Sequence, residues 1–206
     1  MANDNLPRGL VPINWPKVSG HYYRIGTATD VFLGELVDIA STGFLTNAID
    51  VTTAGIVQAL GAVVGFAGPL KKGLATDDPY LDVSDLAPLA SGLESGDRWA
   101  FVADDPEQVY IVQGDTGGTI AGLASVGESA ALIYRATSGS TTSGWANLEL
   151  DASTNTASTG QVVRIVGIHD AVNTDGTENT AAANYCKYQV RILTHRLSQS
   201  NLTSAV

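Results

Sequence analysis

Four carboxylates, Asp104, Asp105, Glu107 and Asp115, fall within twelve residues of the stretch RWAFVADDPEQVYIVQGD. Paired acids at this spacing can serve as general acid and base, but only in a pocket shielded from water. Carboxylates on a loop can also hold calcium, although the D-x-[DN]-x-[DN]-G spacing of a dedicated calcium loop is absent. Both flanks of the stretch read as strands: Trp99, Phe101 and Ala103 alternate with Ala100 and Val102, and Val109 and Ile111 with Tyr110 and Val112. Between them, Asp-Asp-Pro is turn chemistry, because proline fixes φ and aspartate bonds its own backbone. The expectation is therefore a hairpin with the acids at its wet tip. A second Asp-Asp-Pro at residues 77–79 favours a turn over catalysis.

Other chemistry is sparse. No G-x-S-x-G, phosphate loop or H-E-x-x-H occurs. The glycines of GDTGGTIAG lack the lysine that a phosphate loop needs, and read as a loop after a strand. His21, His169 and His195 lie far apart at strand ends, which reads as scattered histidines rather than a metal triad. No catalytic, cofactor or metal residue is assigned and no cofactor is expected. Trp99 is expected in the core, whereas Trp15 and Trp145 are interface candidates.

The elements around these residues are strands. In a chain of 206 residues the hydrophobic fraction is 44% and the charged fraction only 16%. Glycine, serine and threonine supply the turns of a β-rich protein. Net charge is −10, against a direct nucleic-acid partner. The acid is concentrated: residues 77 to 115 hold ten carboxylates and one base, Arg98, whereas Lys187, Arg191 and Arg196 follow Glu178 with no acid among them. This is either a solvated acidic rim or a charge-complementary contact, between copies or with a larger partner. Cys186 is the only cysteine, so no intramolecular disulfide forms, as suits a reducing cytoplasm. The start, MANDNLPRGLVPINWP, does not read as a signal peptide. The run from Ala54 to Leu70 is too short and glycine-broken to span a bilayer.

Pro7, Pro12 and Pro16 make residues 1–20 an extended arm. Leu6, Leu10, Val11, Ile13 and Trp15 make that arm too apolar to be free, so it lies on its own body or on a neighbour. Residues 21–196 form a β-rich body, with room for two subdomains divided near 115–130, and 197–206 form a tail. Strands are expected in HYYRIG, DVFLGELVDIA, IVQALGAVVGFAG, SAALIYRAT, QVVRIVGIHD and KYQVRILTHRL. The last of these puts Tyr188, Val190 and Ile192 on one face. A short helix over 81–89 is compatible with a cap at Asp82 or Ser84.

Three features are similar to one family. MANDNLPRGLVPIN resembles the openings of small structural proteins found beside the major capsid protein of tailed bacteriophages. FLGELVDI, GIVQALGAVVGFAG and FVADDPEQVYIVQ resemble their middle, and VVRIVGIHD with KYQVRILTHRL their close. The resemblance covers nearly the whole chain and implies a capsid decoration, or cement, protein. It implies an all-β fold, a β-barrel, β-tulip-like or β-sandwich body with an extended N-terminal arm and little helix. It also implies a homo-oligomer, a trimer in preference to a dimer, bound to the major capsid protein on the virion exterior after synthesis in the bacterial cytoplasm, with no enzyme activity, nucleic acid or membrane contact. The candidate interface residues are Leu6, Leu10, Val11, Ile13, Trp15 and Trp145. Alternatives are a head-completion or tail protein, a carbohydrate-binding β-sandwich using Tyr110 or Trp145, and an enzyme whose acids or histidines converge.

Overall fold

A computed structural model of the chain describes residues 5–15, 17–25, 30–48, 58–67, 99–116, 122–140, 142–151, 161–170 and 185–198. It is all-β. Twelve strands and one 3₁₀ turn, Gly122–Ser125, make up its regular structure among the described residues. The helix expected over 81–89 lies outside them.

The first sheet contains β2 (His21–Arg24), β3 (Leu36–Ile39), β4 (Leu45–Asn47), β5 (Gly61–Ala67) and β6 (Trp99–Ala103), in the order β2-β6-β5-β3-β4. Every neighbouring pair is antiparallel. With five strands so arranged, the two edge strands point the same way, and contact between them must be parallel. A parallel bridge joins Ile25, just after β2, to Leu45 of β4. The sheet is thus rolled until its edges meet, around a core of Ile25, Val31, Val37, Leu45, Leu60, Val63, Ala100 and Val102. Phase along β6 is the reverse of the expectation for Trp99. Ala100 and Val102 point into the roll, and Trp99 lies outside, 37% exposed, because small residues fit the tight interior.

The second sheet runs β1-β7-β12-β11-β8, from β1 (Val11–Pro12), β7 (Val109–Gln113), β12 (Lys187–Ile192), β11 (Val163–Ile168) and β8 (Ser129–Ala130). After Ala131 the chain continues as β9 (Leu132–Gly139), which pairs antiparallel with β10 (Ala146–Leu150). The end of β10 returns to β7, through a parallel bridge between Leu150 and Gly114 and a hydrogen bond from Asp115 N to Leu150 O at 3.0 Å. The same parity argument therefore applies to β7, β12, β11, β8–β9 and β10. The alternation along β12 is as read from the sequence: Tyr188, Val190 and Ile192 are buried with Tyr110, Val112, Val163, Ile165, Leu148 and Leu150.

The two rolls share their larger core, since Leu36, Ala62, Val64 and Ala103 of the first sheet pack into it. Backbone pairing reinforces the seam at Leu33 with Trp145 and at Ala59 with His195. The guanidinium of Arg196 adds an ion pair to Asp38, with Nε donating to Oδ1 at 2.5 Å, and also donates to Ile39 O at 3.0 Å.

The expected hairpin of residues 98–115 does not form. β6 pairs with β2 and β5, and β7 with β1 and β12. The turn carries the chain from one sheet to the other. The N-terminal segment is strapped to the second sheet: Val11 pairs with Ile111, Pro12 with Tyr110, and Ile13 N donates to Val109 O at 3.0 Å.

Candidate functional site

Asp104, Asp105 and Glu107 of the opening stretch each have a different partner. Asp104 is buried, 5% exposed, because the turn closes a corner between sheets instead of projecting into water. Its Oδ2 accepts from Tyr23 Oη at 2.5 Å and lies 2.8 Å from His21 Nδ1. Burial first, then the hydrogen bond and charge of Asp104, push the Tyr23 hydroxyl far above its ordinary range, so it keeps its proton. Asp105 serves its own turn, its Oδ1 accepting from Glu107 N at 2.9 Å. Glu107 is exposed and ion-paired to Arg191. Asp115 lies beyond β7, near the bridge to β10. The imidazole of His21 is 76% exposed, so Asp104 holds it in place at the surface, with Tyr23 as the carboxylate's other polar partner.

Two further carboxylates lie in apolar surroundings. Glu35, in the link before β3, accepts from Phe32 N at 2.8 Å and from Tyr134 Oη of β9 at 2.8 Å. Burial raises its pKa to about 7; the two hydrogen bonds oppose this and the charge of Asp30 adds to it. Glu149 of β10 is buried too, and desolvation raises its pKa against the hydrogen bond from Gln113 and the charge of Arg135. Gln113 Nε2 donates to Glu149 Oε1 at 2.8 Å and to Asn5 Oδ1 at 3.1 Å, while Gln113 Oε1 accepts from Leu6 N at 2.8 Å. Arg135 Nη1 donates to the same Asn5 oxygen at 2.7 Å. This network latches the start of the arm. The sequence assigns neither Glu35 nor Glu149 to a site, since LGELV and NLELD carry no motif around them.

Of the interface candidates, Leu10 is fully buried in the chain's own core and cannot meet another chain. Gly9 lets the strap make this turn: at φ +64° it presses against Gly34, and Leu10 N donates to Gly34 O at 2.8 Å. Leu6, Ile13 and Trp15 stay exposed at 47%, 44% and 45%. Val11 is half-buried beside Ile111, and half-buried Trp145 carries the Arg8 guanidinium 5.8 Å above its ring. Tyr110 is fully buried, its hydroxyl donating to Ala103 O at 2.7 Å, so it lines no groove.

His21, His169 and His195 do not assemble into a metal site. Among the described residues no group of three or more His, Cys, Asp or Glu side chains is placed to hold an ion. No helix there is long and apolar enough to cross a membrane. No protein-family model, curated protein or solved structure matches the chain.

Proposed function

We propose that the chain is a structural virion protein that decorates the outside of a tailed-bacteriophage capsid and stabilises the expanded head by clamping neighbouring capsomers. The observation that carries this reading is the strap. Leu10, β1 and the Gln113–Arg135 latch order it against the body, yet it presents Leu6, Ile13 and Trp15 to solvent. Apolar side chains already held in place lose little entropy on binding, so more of their burial appears as affinity. The sequence resemblance to capsid decoration proteins points the same way.

In this reading the partners are the major capsid protein and other copies of the chain, as a homotrimer. Repeated modest contacts on one lattice gain strength through effective concentration. A ligand that binds only the expanded shell stabilises it by mass action. The test is to mix the protein with undecorated expanded heads and with free coat subunits, then measure binding and the temperature of DNA release. Preferential binding to heads with a raised release temperature is expected. Equal binding to both, or an unchanged release temperature, moves the assignment to a head-completion or tail part. A glycan-binding reading is favoured by one observation: Tyr22 and Trp99 are exposed on the outer face of the first sheet, with Arg24 5.7 Å from the Trp99 ring.

A further inference from the structure

The outer face of the second sheet has a charge opposite to that of the chain. Outward positions follow from the register. Arg164 of β11 stands directly across from Arg191 of β12, and Arg191 across from Val109 of β7. Lys187 and Gln189 share this side of β12, and Ile111 shares it on β7. Val166, at the register shift in β11, is 36% exposed. The face is therefore an apolar strip of Val109, Ile111 and Val166 beside opposed arginines.

That arrangement is locally unfavourable. Like charges directly opposite on a sheet destabilise it. Glu107 relieves Arg191, but Arg164 is exposed and has no ion pair among the described residues. A chain of net charge −10, with only 11 lysines and arginines, has placed two of them face to face over apolar side chains. Many copies of so acidic a protein repel one another and any acidic surface, except where a basic face is presented.

We infer that the outer face of β7, β12 and β11 is a docking face for a carboxylate-bearing surface of the coat shell, which meets Arg164 and Arg191 while covering Val109, Ile111 and Val166. This rests on the decoration reading and extends its contact surface from the strap, whose Val11 pairs with Ile111, across β12 to Arg164 of β11. Shell carboxylates supply a counter-charge to Arg164, which has none among the described residues, and the apolar strip is dehydrated in the same step. Binding should be salt-sensitive, since exposed charges are screened within about 8 Å at physiological ionic strength.

The experiment is pelleting of the full chain with purified expanded heads stripped of the protein, over a sodium chloride series. Arg164→Glu and Val166→Asp are compared with native protein, with Arg164→Lys as the conservative variant. Thr42→Glu, in the exposed turn between β3 and β4, controls for added negative charge. Circular dichroism establishes that each variant is folded. The expected result is a loss of about tenfold or more in head affinity for Arg164→Glu, a shallower salt dependence, retention by Arg164→Lys and no change for Thr42→Glu. Native binding with an unaffected Arg164→Glu overturns the docking face and leaves the decoration reading standing. Native protein that binds no heads overturns both. The same variants are sedimented alone and with duplex DNA. If Arg164→Glu alters self-association or DNA binding while head binding is unchanged, the face serves copies of the chain or nucleic acid, and the inference is wrong.

Discussion

Tyr134 Oη donates to Glu35 Oε1 at 2.8 Å, joining β9 of the second roll to the link that precedes β3 in the first. The carboxyl sits where water does not reach, and its proton affinity is set by that seclusion. Folded Glu35 holds its proton up to about pH 7, against 4.5 for the ordinary side chain. Between those values the folded state binds more protons than the unfolded one. This contribution to stability is complete below pH 4.5 and is lost as pH rises through 7, by roughly 3 kcal/mol. Burial lowers the pKa of His195, which works in the opposite sense on the acid side. Comparing urea midpoints of native protein and Glu35→Gln from pH 4.5 to 8 isolates the Glu35 part. The variant should gain relative stability as pH rises; parallel curves would rule this out.

Asp104 should matter more than its acidic neighbours. Asp104→Ala leaves the half-buried Tyr23 hydroxyl without its acceptor and should cost about 1–3 kcal/mol. Glu107→Gln changes an exposed group whose ion pair contributes little. Chemical denaturation of both variants checks the order, and a Glu107 effect as large as that of Asp104 contradicts it.

The strap has two separable roles. Leu10→Ala should destabilise the fold by about 2–5 kcal/mol, because it opens a cavity in the main core. Leu6→Ser and Trp15→Ser should leave the melting temperature unchanged and weaken assembly. Deleting residues 2–16 removes both Leu10 and β1, so the remaining body should melt well below the intact chain. A truncated body as stable as the full chain would show that the strap is ornamental to the fold.

Gly34 is where strap and body touch most closely. A Cβ there would lie 2.0 Å from Arg8 O, on a residue whose φ is +78°. Gly34→Ala should displace the strap, lower the melting temperature and expose the bond after Arg8 to trypsin. Unchanged cleavage at Arg8 and unchanged melting would refute this close packing.

Much of the architecture was legible in single strands. Tyr188, Val190 and Ile192 alternate as a half-buried strand should, and Asp105 behaves as an aspartate before proline should. What the strands pair with was not legible, because register partners lie far apart in the chain. For that reason β6 and β7, adjacent in sequence and both correctly read as strands, were expected to pair with each other. Burial of Asp104 follows from the same error, since a turn between sheets is a corner and a hairpin tip is not. Leu10 looked like its apolar neighbours in the arm; only the Gly9–Gly34 contact distinguishes it. Glu35 and Glu149 have nothing local to separate a buried acid from a solvated one.

The strap also has a history within each molecule. Leu6 binds Gln113, 107 residues later, and Asp38 waits for Arg196, 158 residues later. As the chain leaves the ribosome, the strap precedes its docking strand by the whole of the first sheet. Contacts spanning such distances make folding slow and leave intermediates exposed. During that interval Pro7 and Pro12, which have no N–H to offer, hinder the segment from joining a foreign sheet edge. An element made before the first sheet is thus secured only after it, and its prolines guard the chain while it waits.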